Sequence, residues 1–187
     1  MPPKVKITKE DIINAAVDIV RESGAETLNA RIIASVLDCS TQPVFSNFAT
    51  MEELHKSVVS SVYEIYLNFL RSELERGEYP PYKSFGMAYI RFAKEEKELF
   101  KLLFMCDQSQ KSWTPTLDFE ESVKMIMNAN GVTKEKAELI HLEMWTCVHG
   151  IAVMTATSFL SFEWDVISGM VTDIYQGLRL RHLSEVK

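Results

Sequence analysis

The 187-residue chain has few of the residues that punctuate turns: 7 Gly and 6 Pro, a scarcity that suits long helices better than turn-rich sheets. Its three cysteines, Cys39, Cys106 and Cys147, are odd in number and widely spaced. That pattern gives neither a disulfide framework nor the paired spacing of a metal site, and a reducing, cytoplasmic compartment is the expectation. Long apolar runs are missing too. No window reaches the roughly 18 consecutive apolar residues of a membrane span, and the longest candidate, 150–162, holds Thr155, Thr157, Ser158 and Ser161. The opening Met-Pro-Pro-Lys-Val-Lys lacks the apolar stretch of a signal peptide. An excess of positive charge is also absent. The net charge is −6, and the first 60 residues carry six Lys and Arg against eight Asp and Glu. A broad basic face for nucleic acid is therefore excluded, leaving only a local edge of Lys4, Lys6 and Arg31.

What is present is apolar surface in helical rhythm. The chain is 47% hydrophobic and 10% aromatic, enough for a substantial core. Thr8 followed by Glu10 and Asp11 predicts a helix N-terminus, and Ile12, Ala15, Ala16, Ile19 and Val20 share one face up to Gly24. Further helices are expected from Asn29, from Ser40, and from Thr50 to about Arg76. After a break at Gly77–Tyr82, they follow over about 82–94, 97–105, 116–130, 133–162 and 164–182. The fold class read from this pattern is all-α.

The segment from Asn29 to Phe48 is the most specific. It reads as two short helices joined by a tight turn at Asp38-Cys39, the first burying Ile33, Ala34 and Leu37. The second opens on Ser40, tolerates Pro43 in its first turn, and sets Thr41, Gln42, Ser46 and Asn47 among Val44, Phe45 and Phe48. A short helix with one buried face and one hydrogen-bonding face suits a DNA major groove. Gln42 can bridge the two major-groove atoms of adenine, and Thr41 offers a hydroxyl and a methyl. Asn29, Arg31 and Thr50 are phosphate candidates, with helix capping as the plainer role for Asn29 and Thr50. Phe45 and Phe48 read first as core.

Residues Ile7 to about Val59 resemble the DNA-binding domain of the TetR family of bacterial transcriptional regulators. The resemblance runs through Ile12-Ile13-Asn14-Ala15-Ala16, Gly24, Leu28, Arg31-Ile32-Ile33-Ala34, Ser40, Val44-Phe45, Phe48 and Glu52-Glu53-Leu54. Farther on, Trp145-Thr-Cys-Val-His149-Gly150 resembles the W-x-x-x-H-G signature of one class of C-terminal domain in that family. The resemblance implies a helix-turn-helix domain over residues 1–48 and a helical effector-binding and dimerisation domain over 49–187. It also implies a homodimer on a double-stranded operator, with recognition helices about 34 Å apart. A small molecule in the C-terminal helices then shifts the fourth helix and releases DNA. The DNA contacts so implied are Lys6, Asn29, Arg31, Ser40, Thr41, Gln42, Pro43, Phe45, Ser46, Asn47, Thr50 and Lys56. Phe45 stands where the family usually has tyrosine, Asn47 where it often has histidine or tyrosine, and Met51 where a lysine is usual. Phosphate contacts then fall to Asn47, Thr50, Lys56 or the N-terminal lysines.

The last two expected helices differ from the others. Residues 144–159 are apolar almost all round, so that helix needs cover on more than one side. In the final one, Ile167, Met170, Val171, Ile174 and Leu178 recur at helical spacing, and Gly169 and Gly177 lie close to one face. We read these as a two-helix face that packs against its own copy, the alternative being one monomer's core. Phe85, Tyr89, Phe92, Phe104, Trp113, Phe119, Met125 and Trp145, with His149 as a polar anchor, are the candidate lining of a site for an apolar or amphipathic effector. No nucleophile–base set and no Gly-rich phosphate loop is visible, so neither catalysis nor a cofactor is expected. Glu52/His55 and Glu138/His141 have the Glu-x-x-His spacing of di-iron bundles and keep open a metal-dependent helical-bundle enzyme as the alternative, although first-turn capping and a solvated face explain them without metal.

Overall fold

The computed structural model describes residues 7–106 and 117–184. Lys4, Lys6 and Trp113 lie outside the described residues. Among these the regular elements are all helical: α1 (Lys9–Ser23), α2 (Ala30–Val36), α3 (Gln42–Asn47), α4 (Met51–Arg76), α5 (Pro81–Glu95), α6 (Lys97–Phe104), α7 (Leu117–Asn130), α8 (Lys134–Ala156) and α9 (Trp164–Ser184), with one 3-10 turn at Ala25–Thr27. The all-α class expected from the sequence holds.

Local chemistry sets most helix ends. Thr8 and Asp11 form a reciprocal capping box at the start of α1: the Thr8 hydroxyl accepts from the Asp11 amide, and the Asp11 carboxylate accepts from the Thr8 amide. Gly24 closes α1 with φ +85°, and a Cβ there would sit 2.6 Å from a Glu26 carboxylate oxygen. Only glycine fits such a position without strain. Asn29 caps α2 by accepting from the Arg31 and Ile32 amides.

Ser40 does not cap α3. The helix begins at Gln42, and Thr41 precedes it in helical rather than extended backbone, with no side-chain capping bond. Pro43, at the second helical position, removes one of the two amides to which a hydroxyl at Thr41 could bond. The helix expected over 133–162 also stops early, at Ala156. There the Thr155 and Thr157 hydroxyls donate back to the carbonyls of Ile151 and Val153, and Ser158 takes φ +56°.

The chain packs as two units. Among the described residues the first takes 7–67 with 96–106, the second 68–95 with 117–184, so α4 is shared between them. The first unit therefore extends beyond residue 48. It buries Ile12, Ala16 and Val20 of α1, Ile33 of α2, Val44 of α3 and Phe48. It also buries Leu54, Val58 and Val62 of α4, and Leu99 and Phe100 of α6. Arg21 on α1 ties to Glu96 at the start of α6 at 2.9 Å.

In the second unit α8 is central, contacting α5, α7 and α9. Gly86 lets α5 approach α8: a Cβ there would already meet Val148 at 3.4 Å. By length and composition alone α8 could cross a bilayer, with mean hydropathy 1.2 in its best 18-residue window. Its polar side chains are nonetheless hydrogen-bonded to the helices beside it, His141 and His149 to α5 and Glu143 to α9. That arrangement is compatible with a soluble protein.

Candidate functional site

The candidate nucleic-acid face lies on α3. Val44 and Phe48, one turn apart, are buried at 1% exposure each. Successive residues turn about 100° round a helix, so Gln42 and Ser46 point away from that core, Phe45 lies on its flank, and all three are exposed. Phe45 is 53% exposed, which corrects its reading as a core residue. Phe48 is core, as expected.

The polar groups on α3 are not equally free. Ser46 donates its hydroxyl to the Gln42 carbonyl at 2.8 Å, and Asn47 donates its amide to the Pro43 carbonyl at 2.8 Å. The Gln42 side chain makes no hydrogen bond among the described residues, so its whole amide faces solvent. Thr41 and Pro43 are half-buried, and Ser40 is exposed.

Around α3 the phosphate candidates divide by what already holds them. Asn29 is consumed by capping, accepting twice and donating to the Thr27 carbonyl at 3.1 Å. The Thr50 hydroxyl accepts from the Glu53 amide, while the Glu53 carboxylate accepts from the Ala49 amide and lies 3.4 Å from Lys9. Those bonds hold the Glu53 carboxyl below its ordinary range, the Ala49 amide first and Lys9 after it. Lys56 is paired with Glu52 at 2.8 Å, both exposed. Arg31 is exposed, and its guanidinium has no partner among the described residues.

The second unit gathers three of the candidate effector residues. The Tyr89 hydroxyl and Nδ1 of His149 are 2.9 Å apart, and the Trp145 ring stacks on the imidazole. Tyr89 is buried, His149 half-buried and Trp145 45% exposed, so the set runs from the interior of the unit to its surface. Burial pushes the His149 imidazole below the ordinary histidine range, favouring its neutral form.

The other candidates lie elsewhere. Phe92 is fully buried and packs edge-on against Phe69. Phe119 meets His141 rather than His149. Phe85 and Met125 are half-buried. Phe104 belongs to the first unit, against Tyr66 and Phe100.

Several polar contacts in the second unit join residues that the sequence pattern does not mark as effector candidates. Tyr82 and His141 repeat the tyrosine–histidine pairing at 3.0 Å, with Tyr175 beside Tyr82 and Asn130 donating to the Tyr175 hydroxyl at 2.8 Å. Burial raises the Tyr82 phenol well above its usual range, so it stays protonated. Tyr82 and Tyr89 are two turns apart on α5, as His141 and His149 are on α8, a matched spacing that places each pair along one helix face without naming the helix opposite. Lys83 donates to Ser168 and Thr172 at 2.7 and 2.8 Å, and burial lowers its ammonium. Glu73, 1% exposed, accepts from Arg91 at 2.8 Å and from Arg76 at 3.3 Å. Periodicity announces the Glu73–Arg76 pair, three residues apart on α4, but not the contacts of Lys83 or Arg91, which join different helices.

The two Glu-x-x-His pairs fall in different units. Glu52 is held by Lys56, Glu138 lies 3.6 Å from Lys134, and His141 is held by Tyr82. Among the described residues, no three His, Cys, Asp or Glu side chains converge in a way that could hold a metal ion.

Neither a family model nor a curated protein matches the chain. A solved structure of a protein with unknown function from Rhodococcus sp. RHA1 is similar, with a TM-score of 0.74 and 17% identity over 96% of this chain and 99% of that one. At that identity the likeness speaks for the fold alone.

Proposed function

We propose that this chain is a DNA-binding transcriptional regulator of the TetR type. In this reading it represses from an operator and is released by a small apolar or amphipathic molecule. The observation that carries the reading is α3: a six-residue helix held by Val44 and Phe48, with an unengaged Gln42 amide on its outer face. Such a helix, following a capped α2 after a tight turn, is the geometry that enters a major groove. The residue pattern from Ile12 to Leu54 supports the same family. With Asn29 and Lys56 engaged, Arg31 is the phosphate candidate left exposed and unpartnered among the described residues.

A two-fold operator needs a two-fold protein. Leu139, Leu142 and Trp145 on α8 and Val166 and Leu180 on α9 are exposed, and a Cβ placed on Gly169 or Gly177 would meet nothing within 4 Å outside its own helix among the described residues. An apolar surface with open glycines favours close approach of a second copy. For the sensor, the Tyr89–His149–Trp145 set offers an aromatic stack and a polar anchor. Release requires that the effector prefer one conformation over the other, since equal affinity shifts nothing.

The test is a gel shift of the purified chain on DNA from upstream of its own gene at low salt. A discrete complex that Gln42→Ala weakens on that DNA, but not on unrelated DNA, is expected. No complex at any protein concentration would remove the reading.

A further inference from the structure

We propose that Phe45 is a base-reading side chain that packs on the 5-methyl group of a thymine, beside the base that Gln42 contacts. The inference rests on the DNA-reading function and adds to it the composition of the half-site. Phe45 is 53% exposed on a helix whose outer face is otherwise polar. Its ring carries no hydroxyl, so it cannot hydrogen-bond a phosphate. The distinctive apolar feature that the major groove presents is the thymine methyl group.

Register supports the pairing. Gln42 and Phe45 are three residues apart, so they are displaced by about 4.5 Å along the helix axis. Base pairs follow each other at about 3.4 Å. The two side chains thus address neighbouring positions, an adenine bridged by the Gln42 amide and a thymine under the Phe45 ring. Ser46 directs its proton to the Gln42 carbonyl and so offers the groove an acceptor rather than a competing donor. Each half-site then contains two neighbouring A·T pairs, one under each side chain.

The experiment uses the full chain. Bound duplexes are selected from a random pool, and affinity is then measured by fluorescence anisotropy on the selected operator and on copies with single deoxythymidine-to-deoxyuridine replacements. This replacement removes one methyl group and no hydrogen bond. One thymine per half-site is expected to matter, its uracil copy binding about fourfold more weakly, the worth of one buried methyl. Phe45→Ala should bind the thymine operator more weakly and be indifferent to the replacement. Gln42→Ala should keep the sensitivity. Because Phe45 is exposed, its alanine variant should melt with the parent, and circular dichroism checks this. If the parent binds a selected operator and tolerates every uracil, or if Phe45→Ala keeps the sensitivity, the assignment to Phe45 is wrong while DNA reading stands. If no sequence is selected and no duplex is bound at low salt, the function itself falls.

Discussion

The Trp145 indole lies over the His149 imidazole with ring centroids 5.0 Å apart and planes 14° from parallel, while the Tyr89 hydroxyl meets Nδ1 of the same imidazole from α5. One half-buried histidine is thus held on a face and at an edge by residues from two helices.

That arrangement makes stability depend on pH. Burial holds the folded pKa of His149 below its ordinary value of 6.5. Above that value both folded and unfolded chains carry the ring neutral, and its contribution to stability is whole. As pH falls through 6.5 the unfolded chain takes up the proton first, so stability drops until the folded ring also protonates. The melting temperature is expected to fall between about pH 7.5 and about pH 5.5. His149→Gln should flatten that slope, which calorimetry at several pH values measures; an unchanged slope would contradict the assignment.

Glu73 tests a buried charge. Its carboxylate is 1% exposed and faces Arg91, whose guanidinium also lies 4.3 Å from the Trp164 ring centroid. Glu73→Ala leaves Arg91, itself mostly buried, without its closest counter-ion. Breaking such a pair costs about 3 kcal/mol or more. Urea denaturation should show that loss, and the double variant Glu73→Met with Arg91→Met should recover part of it.

Capping and phosphate binding separate on α2. Asn29→Ala removes two capping bonds and should cost about 1 kcal/mol of stability in urea melts. Arg31→Ala should leave stability unchanged, because the side chain is exposed and unpartnered among the described residues. In the proposed regulator it should weaken all DNA sequences alike and lower the salt dependence of binding by about one ion.

The exposed face of α8 carries the dimer proposal. Leu142 is 53% exposed, so Leu142→Asp should spare the fold and convert a dimer to a monomer in sedimentation velocity. A parent that sediments as a monomer would overturn the proposed assembly.

Much of this architecture was legible in the chain itself. The Thr8 cap, the Asn29 cap, the glycine stop at Gly24 and the single-sided apolar spacing of α1 are local, each fixed by groups within a turn of one another. The candidate site was legible only in part. Periodicity brings out Val44 and Phe48 as core, yet it marks Phe45 between them as core as well. Its exposure follows only once the register of the six-residue helix against its neighbours is known.

By its own composition and spacing the sequence determined an all-helical chain, where most helices begin and end, and which side of an amphipathic helix such as α1 is apolar. Those outcomes depend on backbone hydrogen bonds and side chains a few residues apart. Tertiary structure alone decided that Tyr89 meets His149, that Tyr82 meets His141, and that Glu73 is buried against Arg91. These partners lie 18 to 60 positions apart. A lone polar residue on an apolar stripe does not specify which neighbouring helix satisfies it; packing does, because only a close approach such as that of α5 to α8 at Gly86 brings the second group within hydrogen-bond reach.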